Sequence, residues 1–223
     1  MRYSVRPMQL EDVSQVTDID REAFPSLWPG ASYENDLKHN PTTRYLVARE
    51  EGVAWPQPQM ATPPVKGGRE APASVLERLL SGVRKLITPE ATPPPQGTEH
   101  IVGFAGLWFT ADEAHLTSIA VRRQHRRQGI GELLLISAID LAAARGARFV
   151  TLEVRVSNVE AQALYRKYGF FKTGVRRGYY TDNREDALIM TTDSITSASY
   201  QSEFQQLKRA HTALWGYGYL ESR

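Results

Sequence analysis

Residues 114–131 read AHLTSIAVRRQHRRQGIG. An apolar run from Leu116 to Val121 leads into a basic loop, and the loop ends on Gly129, Ile130 and Gly131. Leu133, Leu134, Ile136 and Leu141 follow at helical spacing. The stretch therefore predicts strand, loop, helix, with the glycines at the helix start. A helix N-terminus presents unpaired backbone N–H groups and the positive end of the helix dipole. Glycine lets a bulky anion approach the backbone closely. Arg122, Arg123, Arg126 and Arg127 add positive charge, and the combination suits a pyrophosphate.

A Gly-x-Gly turn alone is weak evidence, because a basic loop capping an ordinary helix looks the same. Leu134 stands where a dinucleotide fingerprint needs a third glycine, and the Gly-Lys-Ser/Thr of a P-loop is missing. The run Arg126-Arg127-Gln128-Gly129-Ile130-Gly131 does match Arg/Gln-x-x-Gly-x-Gly/Ala, and so resembles the acetyl-CoA pyrophosphate loop of the GNAT N-acetyltransferases.

Bulk composition narrows the classes. A chain of 223 residues can bury one sizeable core, with or without an extension. A formal charge of +2 is too small to argue for nucleic acid, and none is expected as a partner. The chain has no cysteine, which removes disulfides, thiolate metal sites and a cysteine nucleophile and fits a cytoplasmic protein. No run of about 18 apolar residues predicts a membrane span. The opening MRYSVRPMQLEDV has no signal-peptide core.

Outward from the loop, strands are predicted at 3–6, 44–49, 101–110, 115–121, 149–156, 170–176 and 187–191, with a polar turn at 181–186. Helices are predicted at 10–23, at 32–38 with Ser32 as N-cap, at 132–145 with Gly146 as the stop, at 158–168, and in the tail beyond residue 194. Between residues 50 and 100 lie nine of the thirteen prolines, which marks 51–99 as an insertion. Inside it SVLERLLSGVRKLI (74–87) carries one apolar face, a Ser74/Glu77 capping box and basic residues opposite. That helix docks on its own domain, reaches a partner or membrane surface, or stays disordered. The domain expected is 1–193, interrupted by 51–99, with 194–223 a helical extension.

Residues 152–170, LEVRVSNVEAQALYRKYGF, carry the closest resemblance. They are similar to the RimI-type ribosomal-protein-alanine N-acetyltransferases, through Leu152, Glu153, Val154, Arg155, Ser157, Asn158, Ala161, Leu164, Tyr165, Gly169 and Phe170. Ser118-Ile119-Ala120-Val121, Arg176 to Tyr180 and Arg184 to Met190 resemble the same family; 51–99 and 194–223 do not. The resemblance implies an α/β (α+β) fold: a mixed, mostly antiparallel sheet, splayed near its middle, with helices on both faces. It implies acetyl-CoA as cosubstrate, held by backbone groups of Ile119, Ala120 and Val121 and by the loop from Arg126 and Arg127 through Gln128, Gly129, Ile130 and Gly131 to Glu132.

Acetyl transfer needs a neutral amine, a stabilised oxyanion and a proton for the departing thiolate. Glu153, in an apolar strand, is the candidate general base with a raised pKa expected; the alternative is a salt bridge to Arg155 or Arg148. Tyr165 is the candidate general acid, or else a core tyrosine. Its phenol, pKa about 10, can protonate a thiolate of thiol pKa about 8.5 with modest tuning. Asn158 either caps its helix or bonds the pantetheine arm. By analogy Tyr179, Tyr180 and the loop bearing Trp28 line a peptide groove, although Ser26-Leu27 separates Pro25 from Trp28, unlike the family. His39, His100, His115, His125 and His211 are too scattered in sequence to predict a metal site.

A weak carboxylate base favours an α-amine, pKa about 8, over a lysine near 10.4. The expected acceptor is a protein N-terminus, alanine of a small-subunit ribosomal protein. A lysine or small-molecule acetyltransferase and a CoA-sensing binding module are the rival readings.

Overall fold

The computed structural model describes residues 2–24, 32–54, 99–217 and 219. Its strands are β1 (Tyr3–Pro7), β2 (Thr43–Ala54), β3 (Glu99–Phe109), β4 (Glu113–Val121), β5 (Phe149–Arg155), β6 (Phe170–Tyr180) and β7 (Glu185–Thr192). Its helices are α1 (Val13–Ala23), α2 (Tyr33–His39), α3 (Ile130–Ala144), α4 (Val159–Lys167) and α5 (Ala198–Trp215). The seven strands form one sheet in the order β1-β2-β3-β4-β5-β7-β6. Every pairing is antiparallel except β4 with β5, so the mixed, mostly antiparallel sheet expected from the sequence is the one observed.

Strand alternation sorts the core into two layers. Tyr45, Val47, Ile101 and Phe104 face Val16 and Ile19 of α1 and Tyr33 of α2. Leu46, Ala48, Val102, Ala105 and Leu107 face the other way, against α3. Helix α3 buries Leu133, Leu134, Leu135, Ile136 and Ile139 completely, as befits a helix apolar all round. Ile195, Phe204 and Tyr217 join that same cluster, so the tail read as an extension packs into the core.

Several boundaries move. Ser32 precedes α2 but its side chain makes no capping bond. Strand β2 runs through Ala54 and pairs back on Glu99, so the segment expected to be all insertion begins as a paired strand. Strand β6 extends to Tyr180 and β7 begins at Glu185, which shortens the expected turn to 181–184. Arg155 fastens that turn through both Asp182 carboxylate oxygens (3.0 and 2.8 Å) and Glu185 (3.0 Å). The amphipathic helix expected at 74–87 lies outside the described residues.

The decisive irregularity lies between β3 and β4. Gly106 pairs with Ser118 and Leu107 with Leu116, so Thr117 is an extra residue, a β-bulge. The β4–β5 pairing stops at the same place: Leu116 opposite Leu152 is its last rung. Beyond it, residues 117–121 have no partner strand on that side among the described residues. Gly106 permits the bulge, since a Cβ there would lie 2.8 Å from the Thr117 and Ser118 hydroxyls and 2.9 Å from the Tyr45 ring. Gly106→Ala is expected to lower stability by about 1–3 kcal/mol, read by urea unfolding. An unchanged midpoint would mean the bulge tolerates a methyl group.

Candidate active site

Glu153 sits one residue past the last β4–β5 rung, where the two strands part. Its side chain is only 6% exposed. One carboxylate oxygen takes His115 Nε2 at 2.8 Å and the other takes Arg176 at 3.0 Å. Burial pushes the Glu153 pKa up, but the His115 hydrogen bond, the His115 charge and the Arg176 charge outweigh it and hold the carboxyl below its usual value. The raised pKa expected from an apolar strand is therefore overturned. The salt bridge expected as the alternative exists, with His115 and Arg176 in place of Arg155 or Arg148.

Tyr165 lies on α4 with its ring 5.7 Å from Phe170, and it is almost fully buried. Burial, and then the nearby Tyr180, raise its phenol, the opposite of the tuning a proton donor would want. Among the described residues nothing hydrogen-bonds its hydroxyl. Tyr180 is pushed up to about 12, chiefly by burial, and the Arg155 guanidinium lies 3.9 Å from its ring centre. Tyr179 is raised by burial and by the Glu153 charge, and Arg176 lies over its ring at 5.5 Å. The Glu153 charge thus acts on Tyr179 and Tyr180, and Tyr180 on Tyr165. Trp28 lies outside the described residues.

The loop after β4 turns its side chains back onto the protein. Arg126 Nε donates to the Val121 carbonyl (3.1 Å), Arg127 pairs with Glu160 (2.8 Å), and the Gln128 side-chain oxygen accepts from the Tyr3 hydroxyl (3.1 Å). Glu132 accepts from Lys167 and the Tyr168 hydroxyl, both at 2.6 Å. Arg126 and Arg127 nevertheless remain exposed, the Arg127 side chain 78% so. Arg127 (φ 62°) and Gly129 (φ 74°) are left-handed, which makes an anion-receiving nest. Gly129 is the N-cap of α3, and its carbonyl takes the first helical bond from Leu133 N. The N–H groups of Ile130, Gly131 and Glu132 are therefore the orphans of the first turn. A Cβ on Gly131 would meet only Val121, at 3.9 Å. Together with the unpartnered 117–121 edge holding Ile119, Ala120 and Val121, this surface fits a pyrophosphate followed by an extended amide-bearing arm. Asn158 caps α4, its side-chain oxygen accepting from Ala161 N (3.2 Å), which is the capping reading of that residue.

The histidines are less scattered than their numbers imply. His115 holds Glu153, a role the sequence reading missed. His211 is buried against the Gly129 carbonyl (3.0 Å). His100 and His125, expected to be too scattered for a metal site, bring their ligand atoms and that of Glu50 within 4.8 Å of one another. His100 bonds Glu50 (3.2 Å) and His125 bonds the Tyr3 hydroxyl (3.1 Å). Arg2 also pairs with Glu50 (3.4 Å), and burial, followed by the His100, Arg122 and Arg2 charges, lowers the His125 pKa against the opposing Glu50 charge. Removing the His115 donor should move the Glu153 pKa up in His115→Ala, read by carbon NMR titration of the carboxyl group. No movement would mean Arg176 alone sets it.

Comparison with known proteins shows the family. The acetyltransferase (GNAT) family profile matches residues 95–170. A Bacillus subtilis (strain 168) protein, provisionally named a [ribosomal protein bS18]-alanine N-acetyltransferase, is 34% identical over 189 residues, 85% of this chain and 94% of that one. An N-alpha-acetyltransferase of Sulfurisphaera tokodaii is 32% identical over 191 residues, 84% of this chain and 91% of its own. The crystal structure of the Escherichia coli ribosomal-protein-alanine N-acetyltransferase superposes with a TM-score of 0.60 at 25% identity, covering 88% of this chain and 97% of that one. The chain belongs to the acetyl-CoA-dependent GNAT acetyltransferases, in the family of the ribosomal-protein-alanine N-acetyltransferases.

Proposed function

We propose that the protein acetylates the α-amine of a protein N-terminus, alanine of a small-subunit ribosomal protein, by direct attack in a ternary complex. The observation that carries this reading is Glu153, buried yet ionised, at the point where β4 and β5 part. The names of the relatives support the acceptor, and a ribosomal acceptor places the work in the cytoplasm.

Acetyl-CoA supplies an activated acyl group as a thioester. The orphan N–H groups of Ile130, Gly131 and Glu132 receive the pyrophosphate, and backbone groups of Ile119, Ala120 and Val121 receive the pantetheine arm and acyl oxygen. Glu153 takes the proton of the incoming ammonium through a water, with His115 and Arg176 fixing its orientation. Its depressed pKa makes it a weak base, so it suits an amine that is already partly neutral. An α-amine of pKa about 8 is roughly one-quarter neutral at pH 7.5, whereas a lysine near 10.4 is almost wholly charged. Tyr165 stays protonated through burial and steadies the departing sulfur as a hydrogen-bond donor, and the proton shed by the attacking nitrogen goes on to the thiolate as the C–S bond breaks. Tyr179 and Tyr180 flank the peptide.

Turnover on short peptides tests this. Free Ala- and Ser-starting peptides are expected to react, and N-terminally blocked peptides with internal lysine are not; the reverse would overturn the acceptor. Glu153→Gln is expected to lower kcat about 100-fold or more and Tyr165→Phe about tenfold or more, both keeping CoA binding. Wild-type rates in both would remove the mechanism. Because Glu153 is ionised well below neutral pH, the acidic limb of kcat/KM should follow the peptide amine near pH 8 and shift when the peptide's amine pKa is changed. A limb that ignores the peptide would assign it to the protein.

A further inference from the structure

The tail from α5 to Tyr219 lies outside the family match at 95–170, yet it grips the phosphate loop from behind. Tyr217 donates its hydroxyl to the Gln128 carbonyl (2.7 Å). His211 Nε2 lies 3.0 Å from the Gly129 carbonyl, whose other lone pair serves Leu133 N. Trp215 presses on Gly129: a Cβ there would fall 2.6 Å from the indole nitrogen. His211 is itself braced by the Tyr219 hydroxyl at its Nδ1 (2.7 Å), and Tyr217 meets the ring of Tyr3 edge-on at 5.2 Å.

We propose that His211, Trp215 and Tyr217 are positioning residues that preset the 127–132 loop for the pyrophosphate of CoA. The inference rests on the reading of that loop given above. In a planar trans peptide the C=O and N–H point in opposite directions. Fixing the carbonyls of Gln128 and Gly129 toward the tail therefore fixes the N–H groups of Gly129 and Ile130 away from it. It also keeps two carbonyl oxygens from turning toward an anion. A carbonyl oxygen can only accept, so His211 Nε2–H is the donor to Gly129, and burial lowers the His211 pKa. A loop already held in its binding shape loses less freedom when the ligand arrives.

The test is calorimetric titration of the full chain with CoA, alongside inhibition by pantetheine, which lacks the pyrophosphate. Tyr217→Phe keeps the ring and loses one hydrogen bond; His211→Leu loses the other. Each is expected to weaken CoA about threefold to tenfold, the cost of one buried hydrogen bond. Pantetheine inhibition, the peptide KM and kcat at saturating acetyl-CoA should stay within about twofold, while the acetyl-CoA KM rises. His211→Gln, whose amide can reach the same carbonyl, should restore affinity. Unchanged CoA affinity, or equal weakening of pantetheine, would overturn the proposal. Gly131→Glu separates the two layers of the argument, since it adds a negative charge where a side chain has room. If it weakens CoA and the tail variants do not, the clamp fails and the loop reading stands. If it too leaves CoA unchanged, the loop reading fails and the clamp with it.

Discussion

The parting of β4 from β5 is the constraint on which the rest of the structure depends. A parallel pair held for four rungs and then released leaves two kinds of surface at one place: an unpaired strand edge and a carboxylate on the opposite strand. An unpaired edge is normally a liability, because exposed N–H and C=O groups invite another strand. Here it is short, begins at a bulge and ends in a basic loop, so it can accept an extended ligand without offering a long ladder. Gly106 allows the bulge and α3 packs over the opened sheet, so both layers of the core support the gap.

Charge at the gap is settled by competition. Burial alone would raise the Glu153 pKa, and His115 with Arg176 reverses that direction. Among the described residues Tyr165 has no such partner, and burial raises its pKa. Glu153 is held toward its ionised form by His115 and Arg176, and Tyr165 toward its protonated form by burial. That separation of protonation states is what a two-proton reaction requires.

Much of this was legible in the sequence. The strand–loop–helix at 114–131, the strand bearing Glu153 and the helix bearing Tyr165 follow from local periodicity and glycine placement, which need only neighbours in the chain. The ionisation of Glu153 was not legible, because its partners come from β4 and from β6. The strand stagger that brings His115 onto Glu153 is a tertiary fact. The bulge at Thr117 leaves no mark in hydrophobic alternation. The grouping of Glu50, His100 and His125 depends on a β2–β3 pairing that spans the insertion, and residues fifty apart give no signal of meeting. The tail read correctly as helix, but its packing on Gly129 required knowing where both ends of the sheet lie.

Tyr3 and Tyr217 meet across 214 positions of chain, and both touch Gln128. Such a contact closes nearly the whole chain into one loop, which carries a large entropy cost. During synthesis, at about 5–20 residues per second, the sheet through β7 can assemble before Tyr217 leaves the ribosome. A chain that stopped after β7 would carry the phosphate loop without the Tyr217 and His211 bonds to its carbonyls, so the loop is completed by residues from the far end of the described chain.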